Sequence, residues 1–197
     1  MRKITLKLYD QPTLQVAQKI LGNFLVRQIG DKKIVGRIVE TEAYCGFDDR
    51  ASHASRGITQ RNEIMFGPAG RWYVYFIYGN YHCLNIVTEH KGYPAAVLIR
   101  ALEPISGIDE MKINRNKSEL KDLCSGPGKL CQALEISKSL NNTKAFGTDC
   151  RLWIEKDGKA SMSRIVTAKR IGVDYAGKWA DKKWRFYIKG SEFVSRQ

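Results

Sequence analysis

The stretch 72–86, WYVYFIYGNYHCLNI, decides the fold because it holds two strand-forming segments separated by a turn signal. Residues 73–77 are aromatic or β-branched, and such residues suit a pleated strand. Gly79 and Asn80 form a turn dipeptide, and residues 82–87 are typical of a returning strand. The stretch therefore predicts a β-hairpin.

Two large rings, Tyr78 and Tyr81, flank the predicted turn, although the tip of a hairpin is usually solvated. One interpretation is that these rings fold back and pack onto the sheet. The other is that a ring at the tip of a rigid hairpin acts as a wedge between stacked bases. The hairpin sequence alone leaves both interpretations open.

The composition indicates a soluble globular protein with a basic surface. The chain has 197 residues, 43% of them hydrophobic and 27% charged, which is enough for one domain with a sizeable core. Its net charge of +13 favours a polyanionic partner, most often nucleic acid, although an anionic membrane or solubility also explains it. The basic residues are spread along the chain, which indicates a folded basic face.

Neither the cysteines nor the N-terminus indicates secretion. The five cysteines are odd in number and show no CxxC pair or zinc-ligand spacing, which favours reduced thiols in a cytoplasmic or nuclear protein. The N-terminus lacks the apolar core of a secretory signal, and no window is apolar enough for a transmembrane helix. We therefore expect a protein of the cytoplasm or the nucleus, with no membrane partner and no metal.

Strands dominate the rest of the sequence, and helices are inserted between them irregularly. Strands are expected at 24–28, 33–44, 95–101, 151–156, 163–173 and 184–189. Helices are expected at 12–21, 106–115 and 130–136, with a helical turn at 176–180 and a long polar loop at 45–68. Because strands and helices do not alternate regularly, the pattern predicts an α+β fold. We expect one compact domain, 1–197, with a curved, mainly antiparallel sheet, inserted helices and a protruding β-hairpin.

The motif ETEAY ends a predicted strand at the entrance to the polar loop. Uninterrupted alternation would place Glu40, Glu42 and Tyr44 on one face, together with Ile34 and Ile38. The carboxylates are compatible with a solvated strand end. They are also compatible with a general base, since an aromatic environment or a nearby cation can prepare a carboxylate for that role.

Arg100 is the one charged residue in the apolar run AAVLIRA. A guanidinium in an apolar strand is costly unless it is paired, so we expect it to meet Glu40, Glu42 or Glu103. The pair is either structural, or it orients a catalytic glutamate and keeps it ionised.

Other motifs are less specific. SGPGK at 125–129 precedes a helix and could bind a phosphate or simply form a turn, but it is not a Walker A loop, because Leu123 and Leu130 depart from that motif. Asn85 lies among apolar residues, so its amide either bonds to local backbone or reads a polar edge of a ligand. The three histidines show no recognised metal-ligand spacing.

Five long blocks in order give a more specific indication: VETEAYCGFDDRASHASRG, MFGPAGRWYVYFIYGNYHCLNIV, AAVLIRALEP, LCSGPGKLCQAL and RFYIKGSEFVS. Together they resemble the alkyladenine DNA glycosylases, also called mammalian-type 3-methyladenine DNA glycosylases, and the chain is similar to the short bacterial members. The resemblance implies a monofunctional, monomeric enzyme of base excision repair without cofactor or metal. Such an enzyme flips a damaged purine out of double-stranded DNA and hydrolyses its N-glycosidic bond, leaving an abasic site.

The resemblance also implies residue roles. Glu42 would be the general base that activates water, and Arg100, with the main chain near Ile171, would hold that water and Glu42. Tyr78 would be the wedge that fills the gap left by the flipped nucleotide. The implied base pocket consists of Tyr44, His53, Tyr75 and Asn85. The implied contacts with backbone phosphates are Arg61, Gly128 and Lys129. The implied substrates are 3-methyladenine, 7-methylguanine, hypoxanthine and ethenoadenine.

One expectation conflicts with these roles. A two-residue turn pairs Val74 with Asn85 and so places Tyr75 and Asn85 on opposite faces of the hairpin. A shared pocket would then require a bulge or a strong twist. Considered without the resemblance, charge and aromatic content also fit a non-catalytic basic nucleic-acid-binding domain, and SGPGK fits a nucleotide-binding enzyme.

Overall fold

A nine-stranded antiparallel sheet dominates the computed structural model, which describes residues 2–77, 79, 81–157 and 165–196. The strands are β1 (Arg2–Lys3), β2 (Phe24–Ile29), β3 (Lys32–Cys45), β4 (Trp72–Ile77), β5 (Tyr81–Val87), β6 (Ala95–Ser106), β7 (Leu152–Lys156), β8 (Ile165–Ala168) and β9 (Arg185–Ile188). The helices are α1 (Leu6–Tyr9), α2 (Thr13–Lys19), α3 (Ile108–Arg115), α4 (Leu120–Cys124) and α5 (Pro127–Ala133). Short 3₁₀ helices occupy His53–Arg56, Glu63–Phe66, Lys138–Leu140 and Asp174–Trp179.

The long strand β3 is the centre of the sheet. The strands follow the order β1-β7-β2-β3-β6-β5-β4, and β9 pairs with both β3 and β8. The first half of β3 pairs with β2 and its second half pairs with β9, while β6 runs along its other edge. The predicted α+β class with a mainly antiparallel sheet is confirmed.

Helices cover one face of this sheet and form the main core with it. Helix α2 packs against β3 and β6, and α5 packs against β5 and β6. The core includes large side chains such as Ile20, Leu25, Ile38, Trp72, Leu84, Ile99, Leu102 and Leu130. The opposite face of the sheet, between β4 and β9, is not covered by these helices.

Two bulges, one in each strand, flank the Glu40–Ala101 pair where β3 pairs with β6. Ile38 pairs with Leu102 and Glu40 with Ala101, so one extra residue of β3 stands between these pairs. The next pair joins Thr41 to Ile99, which leaves Arg100 as the extra residue of β6. Bulges re-aim side chains and are frequent beside active sites.

The bulge in β3 overturns the predicted uninterrupted alternation. Ile34 and Ile38 belong to the main core, and so does Ala43, which lies an odd number of residues further on. Glu40 and Glu42 therefore face away from the main core, whereas simple alternation placed them on the same side as Ile38. The inserted residue shifts the period-two pattern by one position, and the carboxylates avoid the apolar layer.

The hairpin of β4 and β5 has a longer turn than predicted. Ile77 pairs with Tyr81, and Tyr73 pairs with Asn85, so three residues separate the strands. The predicted pairing of Val74 with Asn85 is wrong by one position. Because one step of register reverses the face of a side chain, Tyr73, Tyr75 and Asn85 lie on the same face without any bulge. Two tip residues, Tyr78 and Asn80, lie outside the described residues.

The helices begin and end differently from their predicted bounds. Helix α5 begins at Pro127, inside the SGPGK motif, because Pro is well placed in the first turn of a helix. Helix α4, which lies outside the predicted helices, is anchored by the buried Leu123 and Cys124. Of the strand predicted at 163–173, β8 forms only the first part, and residues 163 and 164 lie outside the described part of the chain.

No helix in the described ranges is long and apolar enough to cross a membrane.

Candidate active site

A cavity of about 340 Å³ opens on the sheet face that the helices leave uncovered. Tyr73, Asn85 and Leu98 line it and belong to one row of cross-strand pairs, in which Tyr73 pairs with Asn85 and Asn85 with Leu98. The row continues beside the cavity, where Leu98 pairs with Glu42 and Glu42 with Arg185. Paired residues share a face, so this row aligns side chains from five strands on that face. Residues distant in sequence are thus brought together by the pairing.

Glu42 is fully buried, and three donors hold its carboxylate. The Tyr44 hydroxyl donates to Oε2 at 2.8 Å, and Arg100 Nη1 donates to the same oxygen at 3.2 Å. The main-chain N–H of Ile171 donates to Oε1 at 2.8 Å. All three donor residues line the cavity. A carboxylate oxygen accepts about two hydrogen bonds, so Oε1 retains acceptor capacity for one more donor.

Arg100 contacts both glutamates of the ETEAY motif, Glu40 and Glu42. Its Nη1 contacts Glu42, and its Nε lies 3.3 Å from Oε1 of Glu40. Burial alone would lower the pKa of Arg100, but the carboxylates of Glu42 and Glu40 raise it overall. The predicted pairing of Arg100 with a buried acid is confirmed for both residues. Glu103 forms an ion pair with Arg37 instead.

Tyr44 lies between the catalytic candidate and a buried arginine. Its hydroxyl is bonded to Glu42, and the guanidinium of Arg170 lies 4.8 Å from its ring centroid. Burial, followed by the charge of Glu42, raises the pKa of Tyr44 well above its ordinary value. Tyr44 therefore remains a neutral phenol that donates to the carboxylate.

Three rings form an aromatic wall of the cavity. The ring centroids of His53 and Tyr75 are 4.6 Å apart in an edge-to-face arrangement, and those of Tyr73 and Tyr75 are 5.0 Å apart. His53 Nδ1 and the Tyr73 hydroxyl are 3.0 Å apart, within hydrogen-bonding distance. Tyr73 was not among the predicted site residues. The alternation of Tyr73 with Tyr75 along β4 is the sequence signal that identifies it.

The imidazole of His53 is neutral at physiological pH. Burial, reinforced by the nearby charge of Arg61, lowers the pKa of His53 from 6.5 to about 4. A neutral ring at this position lets a base that carries positive charge enter the cavity without repulsion from His53.

We predict that NMR titration of the His53 ring will give a midpoint below 6.5 and above about 4, because the ring is partly desolvated while water still reaches another part of the side chain. The sign follows from the cause, since a surrounding that disfavours the cation keeps the neutral form to lower pH. Arg61→Gln should move the midpoint upward by removing a nearby cation. A midpoint at or above 6.5 in the wild-type protein would contradict this account.

Asn85 is buried at the floor of the cavity, and its amide orientation is fixed locally. Its Nδ2 donates to the main-chain oxygen of Tyr73 at 3.2 Å. Because a carbonyl cannot donate, this bond leaves Oδ1 as the atom able to accept from a ligand. Both alternatives considered from the sequence are therefore compatible, since one end of the amide satisfies backbone and Asn85 also lines the cavity.

A buried ion pair that the sequence analysis missed fixes the polar loop. Arg170 Nη1 and Nη2 donate to the carboxylate of Asp49 at 2.6 and 2.8 Å, and both side chains are 0% exposed. Arg170 also donates to the main-chain oxygens of Ala43 and Trp179. This pair ties the loop after β3 to the segment whose Ile171 N–H reaches Glu42. No sequence signal joins two residues so far apart.

A buried amide orders the next part of the loop. Asn62 Nδ2 donates to the main-chain oxygens of His53 and Gly57 at 2.8 and 2.9 Å, and its Oδ1 accepts from Thr59 N at 2.7 Å. The loop is therefore internally bonded over most of the segment that carries His53. A histidine on such a loop is held in place and can serve as one wall of a site.

The residues expected to contact DNA phosphates have different surroundings. Arg61 is exposed, lies 5.1 Å from the ring centroid of Tyr75 and donates to the main-chain oxygen of Phe76. A Cβ on Gly128 would lie 2.9 Å from the Tyr81 ring, so glycine permits the hairpin to approach α5. Tyr81 therefore contacts α5 and not the sheet, and 45% of its surface stays exposed.

Lys129 lies in the first turn of α5 and has local polar partners. Its Nζ donates to Ser125 Oγ at 3.3 Å and lies 3.7 Å from the Asp122 carboxylate. Tyr78, the expected wedge, falls outside the described residues. Within the described part of the chain, no three His, Cys, Asp or Glu residues form a group that could hold a metal ion.

Comparisons with known proteins agree with the geometry. The family model described as "Methylpurine-DNA glycosylase (MPG)" matches residues 7–192. The chain is 53% identical to a Methanocella arvoryzae protein over 96% of this chain and 94% of that protein. It is 49% identical to one from Alkaliphilus oremlandii, over 99% and 100%, and 43% identical to one from Legionella pneumophila, over 100% of both. All three relatives carry the name "Putative 3-methyladenine DNA glycosylase".

Proposed function

Because this chain belongs to the methylpurine-DNA glycosylase family and is therefore a DNA N-glycosylase, we propose that it excises damaged purines from duplex DNA with a water activated by Glu42. The observation that carries the proposal is the buried Glu42 carboxylate, held by Tyr44, Arg100 and the Ile171 N–H beside an aromatic cavity. Family membership favours this function over the non-catalytic nucleic-acid binder that charge alone allows.

The cavity suits a flipped purine with altered charge. Rings of Tyr44, Tyr73 and Tyr75 offer electron-rich faces, and an alkylated purine carries positive charge. Stacking of a cation on such faces is worth about 0.5–2 kcal/mol. Stacking is tolerant of base identity, which supports a substrate range of 3-methyladenine, 7-methylguanine, hypoxanthine and ethenoadenine. In the proposed complex, Oδ1 of Asn85 contacts the edge of the purine.

The carboxylate of Glu42 would serve the reaction in two ways. Cleavage of an N-glycosidic bond develops positive charge on the sugar, and a nearby carboxylate stabilises that charge. Glu42 would also accept the proton of the attacking water through its remaining acceptor capacity. Arg100 would hold the carboxylate in place and contribute to binding that water.

Water as the nucleophile is consistent with the lining of the cavity. An enzyme that forms a covalent intermediate with the sugar would need an amine such as that of lysine. Among the described residues that line the cavity there is no lysine. The proposed product is therefore an intact strand with an abasic site, formed by a monofunctional enzyme without a cofactor.

The proposed DNA contacts extend from the cavity to the hairpin tip. Tyr78, which follows Ile77 in the sequence, would enter the base stack and fill the space of the flipped nucleotide. Arg61, Gly128 and Lys129 would approach backbone phosphates, where the net charge of +13 supports binding. We propose that the protein acts on its duplex as a monomer, in the cytoplasm of a prokaryote or in a nucleus.

An excision assay on a panel of lesions tests the proposal. Duplexes with 7-methylguanine, hypoxanthine, ethenoadenine or 3-methyladenine should yield strand breaks only after alkali, because alkali cleaves abasic sites. The matched undamaged duplex should remain intact. Breaks that form without alkali would contradict the monofunctional mechanism, and no break on any lesion despite measured DNA binding would contradict the proposed function.

A further inference from the structure

The C-terminal tail, residues 191–196, contacts the active-site charges from outside the cavity. The main-chain N–H of Ser195 donates to Oε2 of Glu40 at 2.6 Å. The hydroxyl of the same residue accepts from Nε and Nη2 of Arg100, both at 3.4 Å. Ser195 therefore touches both members of the Glu40–Arg100 pair. None of the tail residues lines the cavity.

Glu40 connects the tail to Arg100, which lines the cavity. The Glu40 side chain is 0% exposed. Its Oε1 accepts from Arg185 Nη1 at 3.0 Å and lies 3.3 Å from Arg100 Nε. Two arginines and the tail N–H thus compensate this buried carboxylate. A buried charge with this many partners is held in one position.

Two edges of the Arg100 guanidinium contact different residues. Its Nη1 faces Glu42, whereas its Nε and Nη2 face Ser195, with Glu40 on the Nε side. A guanidinium is planar, so contacts on two edges determine the orientation of the whole group. The contact with Ser195 therefore affects where Nη1 points. If this hydroxyl is absent, the group can turn toward Glu40 and away from Glu42.

We propose that Ser195 is a positioning residue for excision, and that its hydroxyl, together with Glu40, sets the orientation in which Arg100 holds the Glu42 carboxylate. The tail is then part of the active site's support, although none of residues 191–196 lines the cavity. This inference rests on the proposed function, because it assigns Ser195 an effect that passes through Arg100 and Glu42.

Ser195→Ala tests the inference in the full-length protein. The single-turnover excision rate on an ethenoadenine or hypoxanthine duplex should fall about fivefold, the effect of one lost hydrogen bond to a charged group at long distance. Affinity for the same duplex and the melting temperature should stay unchanged, because Ser195 is partly exposed and its main-chain bond remains. Ser195→Thr restores a hydroxyl and should restore the rate.

Ser191→Ala is the matched control. Its hydroxyl accepts a 3.3 Å bond from the N–H of Phe193 within the tail, and we expect a wild-type rate. A Ser195→Ala rate equal to the wild type would overturn the inference. So would a loss that Ser195→Thr does not restore and that accompanies a lower melting temperature, since that pattern shows a structural role.

Combination with Arg100→Ala separates this inference from the proposed function. Arg100→Ala alone should be slow, and adding Ser195→Ala should have no further effect, because the residue through which Ser195 acts is gone. If the two substitutions together reduced the excision rate by the product of their separate effects, the inference would be overturned and the proposed function would remain intact. A fully active Arg100→Ala would overturn the inference and the role of Arg100, and an inactive wild type would overturn the proposed function as well.

Discussion

Glu42→Gln should lower the single-turnover rate of excision by about 10²–10⁴-fold, the usual contribution of a general base. The amide keeps the shape of the side chain, but only one of its two terminal atoms accepts. It cannot serve the Arg100 and Ile171 donors together with a water proton. Affinity for lesion-containing duplex should be retained, because the aromatic wall and the basic surface are unchanged. Single-turnover kinetics and fluorescence anisotropy on the same duplex measure the two quantities.

Glu103→Gln provides the control for this substitution. Glu103 also lies in the sheet, but its carboxylate is partly exposed and pairs with Arg37. We expect its excision rate to match the wild type. If Glu42→Gln excised at the wild-type rate, water activation would have to come from another group and the proposed mechanism would be wrong.

Asp49→Asn should have the largest effect on stability. The substitution removes one partner of a fully buried ion pair and leaves Arg170 uncompensated. Such a loss destabilises proteins by about 3–5 kcal/mol. For a chain of this size the melting temperature should fall by roughly 10 °C. Excision should also slow, because the segment held by Arg170 presents the Ile171 N–H to Glu42.

Asp48→Asn tests whether the loss of stability in Asp49→Asn comes from the burial of the ion pair or from the loss of a negative charge alone. Asp48 is the adjacent residue and is exposed, so its substitution should change stability by less than about 0.5 kcal/mol. Urea unfolding of both variants measures the comparison. A similar stability for the two variants would show that the buried pair contributes little.

Sequence patterns predict much of the site because a charged side chain in an apolar segment requires a partner of opposite charge, and few residues can supply one. A lone guanidinium in AAVLIRA requires a buried acid, and ETEAY offers two, so the association of Arg100 with Glu40 and Glu42 follows from physical reasoning. The hairpin and the antiparallel class follow from local composition. Roles such as that of Tyr78 rest on the resemblance and remain predictions.

What the sequence did not indicate depends on single-residue geometry and on distant contacts. The bulges at the β3–β6 pairing and the three-residue hairpin turn each shift the pattern by one position, and one position reverses a face. The pairing of Asp49 with Arg170 joins residues 121 positions apart, so no periodic pattern within either segment reports it. Helix α4 has too few apolar residues for its period to be recognised.

The long sequence separation within the cross-strand row affects the order in which the protein folds during its synthesis. Glu42 pairs with Arg185 of β9, and Glu40 receives the N–H of Ser195, which lies 155 residues later in the chain. Contacts of such long sequence separation form late, since the intervening chain must close first. The two glutamates therefore gain their full set of donors only when nearly the whole polypeptide has been synthesised. In the nascent chain, the support of these two carboxylates is therefore completed later than the hairpin of β4 and β5, whose partners lie close together in sequence.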